Sequence, residues 1–145
     1  MNHTPRSAQP LLWQILAAAR AVEARLETEL AAQGLSLAKV GVLRILAEAT
    51  EPLPLSELAK HSHCVRSNMT QLVDRLEADG LVRRVNDGRD RRIRRVALTA
   101  AGRRACARGV RILEAHERQA ARAVGATGAA AAVGRALARV TRWRE

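Results

Sequence analysis

Residues 82–99 read VRRVNDGRDRRIRRVALT, and this segment carries the most structural information in the chain. Seven of its first fourteen residues are arginine, with Asn86 and Gly88 between them. Valine, isoleucine and leucine occupy both sides of the Asn-Asp-Gly turn, which predicts a β-hairpin. Because neighbouring arginines repel one another, we expect a partner that neutralises them at this hairpin.

The sequence before the hairpin predicts a helix-turn-helix unit. A short helix is expected from Leu55 to about Lys60, followed by a joint and a second helix over 66–79 that ends at Gly80. The second helix has an apolar stripe at helical spacing: Met69, Leu72, Val73 and Leu76. Two short helices joined by a tight turn and followed by a hairpin make a winged helix-turn-helix.

Longer helices are predicted on both sides of this unit. Apolar residues at three- and four-residue steps predict a helix from about residue 10 to Ala32. Ser36 is placed to cap the next helix, and Thr99 to cap a long helix over 100–124 that Gly125 ends. A last helix is expected over about 127–144. The predicted fold is therefore mainly α, with a small β-hairpin wing.

The charge is strongly positive and unevenly distributed. The chain has 145 residues and a formal net charge of +11. From residue 83 to 111 there are eleven arginines against Asp87 and Asp90, whereas the first eighty residues are close to balanced. A basic chain favours nucleic acid, an anionic membrane surface or acidic proteins as partners. The asymmetry predicts one basic surface.

Several classes of protein are disfavoured. No apolar run approaches the ~20 residues of a membrane span, and the N-terminus lacks the pattern of a signal peptide. No nucleophile–base pair, glycine-rich phosphate loop or spaced pair of catalytic carboxylates suggests an enzyme. Two cysteines are too few for a disulfide framework. We expect a cytoplasmic protein without a cofactor.

The polar face of the second short helix has the chemistry of DNA recognition. Asparagine and glutamine can read adenine, arginine can read guanine, and serine and threonine can reach phosphate. The alternative is an ordinary solvated helix face. The residues predicted to contact DNA from this helix are Arg66, Ser67, Asn68, Thr70, Gln71 and Arg75.

Over essentially its whole length, the chain resembles the MarR family of bacterial winged helix-turn-helix transcriptional regulators. Three motifs in this order carry the resemblance: LSELAK (55–60), RSNMTQLVDRLEADGLVRR (66–84) and DRR…VALTAAG (90–102). The resemblance implies one domain over 1–145, with a DNA-binding lobe at 36–98 and dimerisation helices at 10–33 and 100–145. It implies a homodimeric regulator of double-stranded DNA, commonly a repressor released by a small-molecule or redox signal.

The resemblance also assigns residues. The family's D-x-R wing signature maps onto Asp90 and Arg92, where the Asp orients an Arg that enters a narrow, strongly negative minor groove. Arg89 and Arg91 flank that pair. Arg84, Arg94 and Arg95 are expected at phosphate, Arg95 with the least support, although some could be solubilising charge. The residues implied for dimerisation are Leu12, Trp13, Leu16, Leu137, Val140 and Trp143.

The segment HSHC (61–64) is the other chemically reactive feature. His61, His63 and Cys64 match no standard zinc spacing, so no metal site is predicted. Cys64 is a candidate redox residue, because a helix N-terminus and nearby arginines would lower its pKa. The alternative is a small apolar residue under the recognition helix. Cys106 is a weaker candidate.

One departure from the family pattern concerns a helix start. Pro54 stands where a capping Ser or Thr is common, so Glu57 loses its capping partner. The helix is expected to form with a less firmly held start. The main competing function is a basic architectural protein that coats nucleic acid without sequence preference. The sequence identifies neither an effector nor an operator.

Overall fold

The computed structural model describes residues 10–62, 66–88, 90, 93–125 and 128–142. That part of the chain is mainly helical and carries a small antiparallel sheet, which confirms the predicted fold class. In chain order the elements are α1 (Leu11–Ala31), α2 (Leu37–Glu48), β1 (Leu53–Pro54), α3 (Leu55–His61), α4 (Arg66–Ala78), β2 (Val82–Asn86), β3 (Arg94–Leu98), α5 (Ala100–Val124) and α6 (Ala129–Thr141).

The chain forms two compact units, one ending at Val110 and one beginning at Arg111. α5 contributes residues to both of them. The first unit contains the helix-turn-helix of α3 and α4 and the sheet that follows it. Its core is made of leucine, valine and methionine side chains that are fully buried, among them Leu30, Leu43, Leu58, Met69, Leu76 and Val96.

The predicted hairpin is confirmed, and the sheet has one more strand than the sequence indicated. β2 and β3 pair antiparallel from Val82 opposite Leu98 to Asn86 opposite Arg94. β1 pairs with the other side of β3, with Leu53 opposite Val96, so the strand order is β1-β3-β2. No strand is predicted from the sequence at Leu53 and Pro54, but a proline can occupy an edge strand, where its missing N–H is not needed.

Three predicted helix starts can be compared with the structure. The Ser36 hydroxyl accepts the N–H of Lys39 at 3.2 Å, and the Thr99 hydroxyl accepts the N–H of Gly102 at 3.0 Å, so both caps are confirmed. Pro54 precedes α3 without a side-chain cap, also as predicted. There Glu57 pairs with Lys60 instead, at 2.9 Å, which lowers the pKa of Glu57.

The start of α5 packs very closely against the rest of the first unit. A Cβ atom at Gly102 would lie 1.9 Å from the carbonyl oxygen of Leu81, and one at Gly109 would lie 2.5 Å from a methyl group of Val40. Only glycine permits these two approaches. The first approach places α5 against the backbone just before β2, and the second places it against a side chain of α2.

The second unit contains the end of α5 and the helix α6. Gly128, with φ of 95°, precedes α6, and none of the residues of α6 is buried. In the described part of the chain, no helix is long and apolar enough to cross a membrane.

Candidate nucleic-acid interface

One face of α4 is buried and the other is open to solvent. Met69, Val73 and Leu76 are completely buried, at positions three and four residues apart. Asn68, Gln71 and Arg75 lie on the exposed face at the same spacing, which places them along one line of the helix. The buried face fixes the helix on the first unit and leaves the polar line available to a partner.

The other predicted readers on α4 are placed as follows. Thr70 is exposed. The backbone of Arg66 and Ser67 belongs to the first turn of α4, whereas their side chains lie outside the described part of the structure. The structure thus brings together Asn68, Thr70, Gln71 and Arg75 on the solvent side of one helix.

The pairing of β2 with β3 determines which arginines of the hairpin share a face. Residues directly opposite each other point to the same side of a sheet, and neighbours along a strand point to opposite sides. Arg84 and Arg94 therefore lie on the face that buries Val82 and Val96, whereas Arg83 lies on the other face. Arg94 is exposed at the end of β3 near the hairpin tip.

Arg84 has a structural role that the sequence did not predict. Its guanidinium group donates to carboxylates of Asp74 and Glu77, both on α4. Its backbone N–H donates to the second Glu77 oxygen at 3.0 Å. Its side chain is only 16% exposed. These contacts hold β2 against α4. A phosphate contact by Arg84 remains a prediction.

The opposite charges of this cluster stabilise each other's ionised forms. The backbone and side-chain hydrogen bonds from Arg84 lower the pKa of Glu77 below its ordinary value of 4.5. Partial burial alone would lower the pKa of Arg84, but its bonds to Asp74 and Glu77 raise it overall. The sequence signal for this cluster was two acids three residues apart on α4, followed by an arginine early in β2.

Arg95 is also engaged within the first unit. Its Nε donates to Asp87 at 2.9 Å, and another guanidinium nitrogen donates to the carbonyl of Pro52 at 3.1 Å. This arginine therefore joins the hairpin to the chain segment before β1. The sequence had given it the least support of all the proposed phosphate contacts.

The tip of the hairpin is only partly described. Asp87 donates its backbone N–H to Ile93, and Ile93 donates to the carbonyl of Asp90, each at 3.0 Å. Asp90 is exposed at this turn. The predicted groove-entering Arg92 and its neighbours Arg89 and Arg91 lie outside the described residues, so the orienting role of Asp90 stays a prediction.

Of the histidines and cysteines considered in the sequence analysis, only His61 and Cys106 lie within the described residues. His61 is exposed at the end of α3, and His63 and Cys64 lie outside the described residues. Cys106 is buried, and burial raises the pKa of its thiol. A raised pKa and poor access both slow oxidation, so Cys106 has the environment of a packing residue. Within the described residues, no three metal-ligating side chains come together.

Four of the six residues implied for dimerisation are exposed apolar side chains. On α1, Leu12 is 51%, Trp13 59% and Leu16 37% exposed. On α6, Leu137 is 44% exposed and Val140 is half-buried. Trp143 lies outside the described residues.

Comparison with known proteins gives this geometry its context. The "MarR family transcriptional regulator SPO1453" from Silicibacter pomeroyi has a solved structure with 34% sequence identity. The match covers 92% of this chain and 96% of that one, with a TM-score of 0.71. This chain belongs to the MarR family.

Further comparisons agree with this assignment. The MarR family sequence model matches residues 35–93, which run from just before α2 to the hairpin tip. The "Transcriptional activatory protein BadR" of Rhodopseudomonas palustris is 39% identical over 74 residues, a region covering 50% of this chain and 42% of that relative. The Staphylococcus aureus MepR–DNA complex has a TM-score of 0.80 over 94% of this chain and 97% of that chain; at 16% identity it shows the fold alone.

Membership of the MarR family defines the broad function. The chain is a transcriptional regulator with a DNA-binding fold, and it is not an enzyme. The polar line of α4 and the arginine-rich hairpin are the parts of this MarR protein with the chemistry to contact DNA.

Proposed function

We propose that this MarR protein is a cytoplasmic homodimer that binds a specific double-stranded operator and represses transcription until a signal releases it. The observation that carries the proposal is the exposed line Asn68, Gln71 and Arg75 on α4, held in place by the completely buried Met69 and Leu76. A helix anchored on one side and polar on the other has the form that enters a major groove.

Base reading is assigned mainly to Gln71 and Arg75. Glutamine can pair bidentately with adenine and arginine with guanine, and each such pair discriminates by about 1–3 kcal/mol. Arg94, exposed on the face of the sheet shared with Arg84, is assigned to the phosphate backbone. Arg92 is assigned to the minor groove, on the D-x-R signature alone.

The homodimer is proposed because apolar side chains on α1 and α6 are open to solvent. Leu12 and Trp13 are more than half exposed, an arrangement that is unfavourable in an isolated molecule. A two-fold dimer presents two recognition helices and therefore fits a pseudo-palindromic operator, with half-sites ~10 base pairs or slightly more apart. Light scattering on the full chain measures the assembly, and a monomer at micromolar concentration would reject it.

The direction of regulation and the signal are the finer parts of the proposal. The family resemblance supports repression, whereas the relative from R. palustris is named as an activator. Transcription from the bound promoter, with and without the protein, decides between the two. A small-molecule signal is favoured over oxidation of Cys106, because that thiol is buried and has a raised pKa. Oxidation at Cys64 stays a prediction.

The deciding experiment selects bound sites from a random DNA pool and then footprints the selected sequence. We expect one discrete palindrome for the wild type and a changed base preference for Gln71→Ala. The variant Arg92→Ala should weaken binding by ~1–3 kcal/mol without altering base preference elsewhere. Arg118→Ala, which removes the same charge from an exposed position on α5, is the matched control. Uniform coating of the DNA would instead support a non-specific architectural protein.

A further inference from the structure

A cavity of about 540 Å³ lies within the first unit, beside the recognition helix. Its described walls come from α1, α2, α3 and α4. This volume is in the range of small-molecule sites in proteins, ~300–1,000 Å³. Among the side chains that the structure describes, none of those proposed above to contact DNA lines this cavity.

The floor of the cavity is apolar and includes the recognition helix itself. Val42 and Met69 are completely buried, and Ile45 and Leu72 are half-buried. Met69 and Leu72 belong to α4, the helix that exposes Gln71 on its other side. A molecule that fills the cavity would therefore press on the inner face of the helix proposed to read DNA.

The mouth of the cavity is acidic, although the chain as a whole carries a net charge of +11. The titratable side chains that line the cavity are Glu23, Glu27 and Glu48 together with Arg44 and His61. Arg44 lies 3.7 Å from Glu48, so each neutralises the other. Glu27 is held in position because its carboxylate accepts the N–H of Leu37 at 3.0 Å. The charge that the described lining leaves unbalanced is that of Glu23 and Glu27.

We propose that this cavity binds an amphipathic organic cation, and that its binding lowers the affinity of the protein for DNA. The inference rests on the proposed function, because it assigns a ligand class to the release signal. The apolar body of the ligand lies on Leu37, Ile45 and Leu72, which are only half-buried, and its ammonium group faces Glu23 and Glu27. An acid of the same shape would meet like charge at the mouth and bind less well.

Coupling to DNA follows from the position of the floor. A ligand can shift a conformational equilibrium only by its difference in affinity for the two states. On α4, Leu72 of the cavity wall lies one helical turn from both Asn68 and Arg75, so a small displacement of Leu72 moves the exposed line that is proposed to read DNA. By linkage, bound operator DNA must lower the affinity for the cation by the same factor that the cation lowers the affinity for DNA.

The test uses three probes with one apolar body: 4-phenylbutylamine, 4-phenylbutanol and 4-phenylbutyrate. Isothermal titration of the full chain without DNA measures binding, and anisotropy of a labelled operator measures release. We expect the amine to bind about tenfold more tightly than the alcohol, and the carboxylate to bind most weakly. Only the amine should release DNA at the concentrations used.

Two kinds of variant locate the site. The double variant Glu23→Gln, Glu27→Gln keeps the shape of the mouth and should reduce the preference for the amine over the alcohol to less than about threefold. Gly41→Leu should abolish binding of both, because position 41 lines the cavity and a Cβ there meets no atom within 4 Å. Gly41→Ala is its control, since it also removes a helical glycine but adds a single methyl group.

Each outcome separates the inference from the proposed function. Tighter binding of the carboxylate, or amine binding that survives Gly41→Leu, overturns the assignment of the ligand class or of the cavity. Amine binding that leaves operator affinity unchanged overturns the coupling. Failure of the chain to bind any selected DNA rejects the proposed function, while the titrations without DNA still decide whether the cation binds.

Discussion

The helices α4 and α6 are each 13 residues long, yet they bury very different amounts of their surface. α4 buries Met69, Val73 and Leu76 completely, because the rest of the first unit covers its apolar stripe. α6 buries no residue, and its Val133 and Leu137 are 42% and 44% exposed. A lone amphipathic helix of this length is only marginally stable in water. α4 therefore has its complement within the chain, and the homodimer is our proposal for the complement of α6.

The glycines of the helices follow the same division. Gly102 in α5 has a backbone carbonyl oxygen where a Cβ would be, whereas Gly134 in α6 has no atom within 4 Å of that point. Position 102 requires glycine because α5 meets the backbone of Leu81 there. The second glycine has no such constraint in the structure. Matched substitutions at the two positions therefore test the contrast directly.

The largest effect is expected from Gly102→Ala. The added methyl group meets the carbonyl oxygen of Leu81 at 1.9 Å, so the backbone of Leu81 or of the first turn of α5 must move. We expect a loss of about 3–5 kcal/mol of the free energy of unfolding, measured by urea denaturation. Gly134→Ala should instead raise the stability by about 0.5–1 kcal/mol. Equal effects at the two positions would contradict the close packing of α5.

The next largest effect is expected from Leu76→Ala, which removes a completely buried side chain from α4. We expect a loss of about 2–4 kcal/mol that does not depend on protein concentration. In the proposed homodimer, Leu137→Ala on α6 should lower the stability most at high concentration. The difference from the wild type should disappear on dilution, once both proteins are monomeric, because the substitution weakens a dimer rather than a core. Unfolding at several concentrations measures both. A concentration-independent loss at position 137 would place that leucine in a core of the single chain.

The smallest effect concerns the cluster of Arg84, Asp74 and Glu77. Arg84→Met should cost about 1 kcal/mol at pH 7, a modest value because both carboxylates remain open to solvent. The pKa of Glu77 is lower in the folded than in the unfolded chain. Its contribution is therefore complete above the unfolded value and is lost as the pH falls through the folded one.

Stability measured between pH 6 and pH 3 tests this assignment. The wild type should lose stability more steeply on acidification than Arg84→Met does. Arg83→Met, which removes an exposed arginine from the opposite face of the sheet, should retain the wild-type slope. Parallel curves for all three proteins would mean that the cluster contributes nothing to folding.

Much of the fold could be predicted from local signals in the sequence. The hydroxyls of Ser36 and Thr99 each accept an N–H from the residue three positions ahead, so the sequence next to them contains the capping interaction. The apolar stripe of α4 follows from helical spacing alone. Once that stripe is known to be buried, helical geometry places Asn68, Gln71 and Arg75 on the exposed side of the same helix.

The features that the sequence did not indicate depend on distant residues. β1 forms because Leu53 meets Val96, which is 43 positions away. Arg84 was assigned to phosphate on its charge, but its immediate partners Asp74 and Glu77 became visible only when α4 and β2 were placed side by side. The acidic cavity combines α1 with α4 and has no local signature at all.

Each edge of the small sheet has one position without a free backbone donor. At the β1 edge, Pro54 has no N–H to offer. At the β2 edge, the N–H of Arg84 points away from β3 and is already taken by the carboxylate of Glu77. Exposed strand edges are the usual starting points for amyloid-like aggregation. These two positions therefore make the sheet a poorer template for an added strand from a neighbouring molecule.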